Sequence, residues 1–381
     1  MDNDRALQEF QTAIDRNENE NSDLIKLGLY LLESGDFEQR WQVTKLFPKL
    51  GEKIIDPLLV ILENESIEVE CRWFIARILS EFNDIKIIIS FTRLLQTIEE
   101  EELLNILTEG LGKIGIYAIN SLEILLQKDE SSRLLAVKAL AQIRHSDTIK
   151  ALLKVIDDPS PEIRAIALEC LGSFHQKKLI PIFIKALTDP VSTVRKEAVI
   201  ALGMQSELIK KSNIIQHLKP LLYDINIDIC QQTSLSLGRI KSDEAIEELG
   251  ILLNKEKTPI KLKKTVIQAL IWTESPKALT YLKQALFTEN LEVCQIIINL
   301  LGTQKSEPIR HQVSQILVNF LSSNCLVSQE LKIKQAVAVS LGELGGETAI
   351  TCLQKLANDP NKSVKLHAIA GFKKAVNNIS Y

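Results

Sequence analysis

The chain carries five histidines, six cysteines and three tryptophans, and their spacing bounds the chemistry open to it. Each histidine stands alone. Ser, Gln, Leu, Gln and Ala follow His145, His175, His217, His311 and His367, so no short motif offers paired metal ligands. Cys71, Cys170, Cys230, Cys294, Cys325 and Cys352 are at least 27 residues apart, which gives neither a CxxC pair nor a compact disulfide framework. No Gly-rich phosphate loop and no GxSxG is present. Glu99, Glu100, Glu101 and Glu102 read as the charged start of a helix, where the macrodipole favours carboxylates, over a metal site. The expectation is therefore no catalytic residue, no metal and no cofactor. What remains is binding chemistry. Trp41 with Lys45 and Trp73 with Arg77 repeat one spacing, and two indoles flanked by cations fit a protein-binding hot spot. The alternative is that both indoles pack against an N-terminal capping helix.

The elements that must position these residues are written as a repeat. DPSPEIRAIALECLG at Asp158–Gly172 returns as DPVSTVRKEAVIALG at Asp189–Gly203, every matched residue offset by 31. A fixed period of this size is a solenoid signature. Counting each Asp as zero, the unit has an aliphatic residue at five, a base at six, a small residue at nine, Leu at thirteen and often Gly at fourteen. Position thirteen recurs at Leu79, Leu111, Leu140, Leu171, Leu202, Leu237, Leu270, Leu301, Leu341 and Phe372. We name these the B helices. Between them lie amphipathic segments such as KIIDPLLVILEN and AIEELGILLNK, with apolar residues at i, i+3, i+4 and i+7, which we name the A helices. The spacing predicts helices of about 12–15 residues, paired into about ten complete hairpins over 52–380 and an eleventh, degenerate one.

Each part of the unit has a physical task. Pro after Asp stops the A helix, and Ser160 with Pro161, or Ser192 with Thr193, supplies a capping hydroxyl or first-turn Pro for the B helix. Gly at fourteen takes a left-handed turn or lets helices approach closely. The bases at six (Arg40, Arg72, Arg133, Arg164, Arg195, Lys263, Lys334 and Lys365) are expected to bond an Asp or a carbonyl of a neighbouring repeat. Positions four, seven and eleven share one B-helix face and form the exposed ridge. Trp41 and Trp73 occupy seven with Lys45 and Arg77 at eleven, and Lys196 and Lys264 occupy seven further on. These six are the candidate partner-binding residues. Trp272 falls off the ridge and reads as packing between repeats. Residues 322–328 fall in an interval lengthened by nine residues and read as a loop, and 206–212 as a longer turn.

Composition fits an ordered, nearly all-helical protein: 45% hydrophobic, 25% charged, with only 11 Pro and 15 Gly. Net charge is −4, but residues 1–130 hold 26 Asp+Glu against 13 Lys+Arg, and the remainder 23 against 32. An acidic first part argues against a nucleic-acid groove along the whole length. The N-terminus has no signal-peptide pattern, and no apolar run approaches the roughly 18–20 residues of a membrane span. Cytoplasmic residence follows as the expectation, with peripheral membrane association at most. The domain reading is a capping helix and polar linker at 1–21, a degenerate first repeat at 22–51, and the array at 52–381.

The quoted Asp-Pro segments resemble HEAT repeats of the short kind named after phycobilisome lyases, over about residues 37–380. The resemblance weakens toward the N-terminus, where Ser66 and Ile98 stand at position zero. It implies an all-α, right-handed solenoid of about ten to eleven hairpins with B helices on the concave face. It also implies a non-enzymatic scaffold, chaperone or assembly factor whose partner is a protein such as a phycobiliprotein or photosystem component. The alternative it implies is a bilin lyase or lyase subunit. The related deoxyhypusine hydroxylase carries a di-iron site of His-Glu dipeptides, and this chain has none.

Overall fold

Asp-Pro punctuation and a 3.6-residue apolar period leave the chain one way to fold, as short helices that hide their stripes against one another. In the computed structural model, which describes residues 2–16, 22–209, 214–323 and 325–377, every regular element is a helix. The chain divides into two compact units, Met1–Phe174 and His175–Tyr381.

The first unit opens with α1 (Asn3–Asp15). Five hairpins follow: α2 (Ser22–Ser34) with α3 (Phe37–Leu46), α4 (Ile55–Leu62) with α5 (Val69–Leu79), α6 (Ile85–Leu94) with α7 (Glu101–Ile114), α8 (Ile119–Leu125) with α9 (Glu130–Ile143), and α10 (Thr148–Leu152) with α11 (Pro161–Gly172). The second unit begins with α12 (Ile180–Ala186) and α13 (Ser192–Met204). Two short helices, α14 (Ser206–Ile209) and α15 (Ile214–Leu218), then precede α16 (Ile227–Ile240). It continues with α17 (Asp243–Asn254) and α18 (Ile260–Thr273), α19 (Pro276–Thr288) and α20 (Leu291–Leu301), α21 (Glu307–Leu321) and α22 (Leu331–Leu344), and α23 (Gly346–Leu356) and α24 (Lys362–Asn377).

Within each unit a B helix packs on the next B helix: α3 on α5, α5 on α7, α7 on α9 and α9 on α11, then α13 on α16 and onward through α18, α20, α22 and α24. Such nearest-neighbour stacking is how a solenoid buries its core. The fold is an all-α solenoid of helical hairpins. Its core is the thirteenth position: the nine leucines from Leu79 to Leu341 are fully buried, while Phe372 on α24 is half-buried.

Glycine at fourteen serves close approach, not a left-handed turn. Gly112, Gly203, Gly238, Gly302 and Gly342 all keep ordinary backbone angles. A Cβ on Gly238 would stand 2.8 Å from the Ala269 carbonyl oxygen and 2.9 Å from its Cα, so α16 and α18 meet at backbone distance.

Two local expectations need correction. The A helices at the centre of the array are short: α8 and α12 have 7 residues and α10 has 5. Their segments are split, because a 3-10 turn leads into α8 and α12 (Gly115–Ala118 and Lys177–Leu179). Beyond α10 the chain tightens into i→i−3 bonds such as Lys154 to Ala151 and Val155 to Leu152. The second correction concerns capping. Ser160 precedes Pro161 but makes no side-chain cap bond, and neither does Val191 before α13. The zero-position carboxylate does the work instead: Asp158 accepts the Ser160 amide, Asp189 that of Val191, Asp224 that of Asn226 and Asp359 that of Asn361, each at 2.9 Å. This Asx turn carries the chain over the proline at Pro159, Pro190 and Pro360 and over Ile225 after Asp224.

The extra residues near 322–328 lengthen α21 to 15 residues and add a 3-10 turn at Leu326–Gln329. Ser328 is buried and donates to the Ser323 and Cys325 carbonyls, so the turn is tied back; Asn324 lies outside the described residues. Residues 206–209 are helical, and the rest of the expected longer turn at 210–212 lies outside the described residues.

Candidate protein-binding surface

Positions six and seven are neighbours in sequence with different tasks. At six, Arg133 donates from Nε and Nη2 to both oxygens of Asp158, at 2.8 and 3.1 Å, and from Nη1 to the Lys128 carbonyl. Arg195 clasps Asp224 at 2.8 and 2.9 Å and holds the Asp189 and Pro190 carbonyls. Lys334 pairs with Asp359 at 3.2 Å and Lys263 with Glu289. Arg40, lacking an Asp at position zero of the next repeat, takes Glu68 and Glu70 together with the Leu32 and Glu33 carbonyls. Arg164 holds the Asp158 and Pro159 carbonyls, and Lys365 is exposed. Where Cys230 replaces the base, its Sγ reaches the Asp224 carbonyl at 3.2 Å. In Arg40, Arg133 and Arg195 the side chain at six therefore binds both the turn of its own hairpin and an acid of the next.

Electrostatics follow from this ladder. Burial alone would raise the Asp158 carboxyl. The Arg133 guanidinium, the Ser160 amide and the charges of Arg133 and Arg164 outweigh it and hold the group below the ordinary range. Asp224 is lowered in the same way, burial being overcome by Arg195 and the Asn226 amide. Burial pushes the Cys71 and Cys170 thiols up to about 11 and that of Cys294 to about 12, so none of these is a thiolate nucleophile at neutral pH. Among the described residues no group of three or more His, Cys, Asp and Glu side chains converges as metal ligands. His367 is half-buried, with Nδ1 2.7 Å from the Ser363 carbonyl oxygen.

The ridge of the first unit is where aromatic surface gathers. Trp41 on α3 and Trp73 on α5 are both half-buried. The Arg77 guanidinium lies over both rings, 5.0 Å from the Trp41 centroid and 5.6 Å from that of Trp73, and Lys45 Nζ lies 5.3 Å from the Trp41 ring. The structure thus brings Trp41, Lys45, Trp73 and Arg77 into one cluster. Phe37, which the ridge pattern did not single out, joins them: its ring stacks on Trp41 at 6.4 Å with an interplanar angle of 7°, and it is 58% exposed. Its position one helical turn before Trp41 was the available signal. Phe74 closes the column from below, edge-on to Trp73 at 5.1 Å and to Phe37 at 5.4 Å. Helix α1 takes a different aromatic partner, since Phe10 meets Phe47 at 5.8 Å.

In the second unit Lys196 on α13 and Lys264 on α18 are exposed. Between them Gln231 on α16 donates to Thr265 Oγ1 at 2.8 Å. Among the described residues this ridge is polar and carries no aromatic cluster. Trp272 is 40% exposed, so packing between repeats takes only part of its indole. No helix among the described residues is long and apolar enough to cross a membrane.

A family model of HEAT repeats matches residues 119–203 and 149–234. No curated protein matches the chain. Among solved structures it is similar to Kap121p bound to Nup53p, with 13% identity, a TM-score of 0.59 and coverage of 96% of this chain and 47% of that one. It is also similar to importin beta in an ammonium sulfate condition, with 14% identity, a TM-score of 0.52 and coverage of 92% and 55%. The chain spans about half the length of these two proteins, and at such identities the likeness is one of fold. Residues 119–234 thus match HEAT repeats, and the chain shares the α-solenoid fold of these two proteins.

Proposed function

We propose that the chain is a protein-binding scaffold or assembly factor whose anchor is the Phe37–Trp41–Trp73 column with Arg77 and Lys45. The observation that carries this is the pair of half-exposed indoles sharing one guanidinium. Aromatic and Arg side chains in a partly desolvated cluster are the groups that dominate protein interfaces. The solenoid fold supports the reading, because stacked hairpins present a long surface of repeated positions. The likeness to Kap121p, which was solved bound to Nup53p, shows a related fold holding a protein partner.

The test is affinity capture from cells of the source organism, wild type against Trp41→Ala/Trp73→Ala, read by mass spectrometry. The expected result is a stoichiometric protein captured by wild type and lost by the double variant, with circular dichroism unchanged. Capture that is undiminished would move the site to the Lys196–Lys264 ridge. The resemblance to phycobilisome-lyase-type repeats makes phycobiliproteins and photosystem components the first purified partners to offer. A bilin lyase in their presence would give a coloured covalent adduct, whereas a scaffold would bind and leave the bilin unattached.

A further inference from the structure

We infer that the Trp41–Trp73 ridge takes a peptide segment of a partner protein that combines carboxylates with an aromatic side chain. This rests on the protein-binding reading above and specifies the partner's chemistry. Three observations carry it. The indole faces are already covered by the chain's own Arg77 and Lys45, so a partner's Lys or Arg would meet like charge where a cation–π contact would otherwise form.

The second observation is the pairing of cations. In the same unit Lys86, Arg93, Lys113 and Lys154 each close an ion pair, with Asp56, Glu63, Glu81 and Glu123. Lys45 and Arg77 make none among the described residues. Residues 1–130 hold twice as many acids as bases, 26 against 13, yet none of the described acids closes an ion pair with the two cations that flank the indoles. Three acids of the first two hairpins are committed elsewhere, Glu68 and Glu70 to Arg40 and Glu38 to the Gln42 amide at 2.8 Å.

The third is Phe37, whose exposed ring extends the stack at the open end and offers a face to an incoming aromatic group. A polyphosphate would also seek the cations and stack on the indoles, but the acidic surroundings oppose a long polyanion more than a few placed carboxylates.

Trp272→Phe leaves Trp41 and Trp73 as the remaining tryptophans of the three, so intrinsic fluorescence in that background reports on the ridge alone. The probes are a short synthetic peptide alternating Asp and Glu with Phe, the same peptide with Lys in place of the acids, and an oligothymidylate. The acidic peptide should saturate the signal, bind at least about tenfold tighter than the basic one and weaken as salt rises. Lys45→Gln/Arg77→Gln should remove that preference at unchanged melting temperature. Should the double variant melt early, Lys45→Gln alone is read, since Lys45 is exposed. Preference for the basic peptide or the oligothymidylate would overturn the inference, as would acidic-peptide affinity indifferent to both cation substitutions. A protein captured by wild type and lost by Trp41→Ala/Trp73→Ala, yet held through a basic segment, would leave the protein-binding reading standing and remove this one.

Discussion

Arg72 and Arg133 hold the same position in two repeats of the same unit, and only one of them meets a carboxylate. Arg133 reaches Asp158 with two parallel hydrogen bonds. Arg72 is 1% exposed, donates from Nε to the Leu62 carbonyl at 2.8 Å, and leaves Nη2 buried without a partner. The cause lies one repeat downstream, where position zero is Ile98 and not Asp. Arg40 faces a similar gap at Ser66 and fills it with Glu68 and Glu70. The equivalent acids after Arg72 are Glu100 and Glu102, but both are exposed, and Glu100 turns to the Glu99 amide. A repeat protein thus tolerates a missing rung, because each repeat is held by its neighbours on both sides. The comparison also separates what the base at six contributes by filling space from what it contributes by pairing.

The largest effect should come from removing the acid of a closed rung. Asp224→Ala strips Arg195 of both its carboxylate bonds and the Asn226 amide of its cap, leaving a partly buried guanidinium unpaired. Urea unfolding should show a loss of about 2–4 kcal/mol. A loss below about 1 kcal/mol would mean that the rungs are decorative. Next in size is the pH response. Asp158 and Asp224 are lowered in the folded chain, so the stability they add is complete above the unfolded carboxyl value near about 4 and is lost as pH falls through the depressed folded values. Their contribution should be flat from about pH 5 to 7 and fade below about pH 4. In Asp158→Asn/Asp224→Asn that acid loss should shrink. An unaltered acid limb would assign it to other carboxylates.

The architecture was legible in the sequence because its determinants are local and repeated. Leu at thirteen, the small residue at nine and the Asp-Pro stop recur with fixed offsets, and a period read from one repeat transfers to the next. The pairing expected of the bases at six was legible for the same reason, since Arg195 and Asp224 stand in matched places of adjacent repeats. What escaped depends on groups set apart in sequence or on competing local turns. Asp158 was read as a helix stop, and its second role as the cap for Ser160 needs the Asx turn that the following Pro159 shapes. The short A helices reflect 3-10 turns that an apolar period cannot distinguish from α-helix. Of the site, Trp41, Lys45, Trp73 and Arg77 were found because two repeats wrote the same spacing. Phe37 was missed because it belongs to one repeat only, and its contact with Phe74 crosses between hairpins.

The smallest expected effect is the most discriminating. Replacing Arg72 with Met keeps an unbranched side chain of similar reach in the space between α5 and its neighbours, and removes a guanidinium whose Nη2 has no partner. The loss is one hydrogen bond to the Leu62 carbonyl, set against relief from burying a charge that no carboxylate compensates. Arg72→Met should therefore cost no more than about 1 kcal/mol. Arg133→Met, which leaves Asp158 buried without its clasp, should cost about 2–3 kcal/mol. Equal losses for the two would show that Glu100 or Glu102 swings in to close the rung in solution. Arg72→Met in a Glu100→Gln/Glu102→Gln background would then decide it: the cost of losing Arg72 should fall once those carboxylates are gone, and stay the same if it comes from the bond to the Leu62 carbonyl.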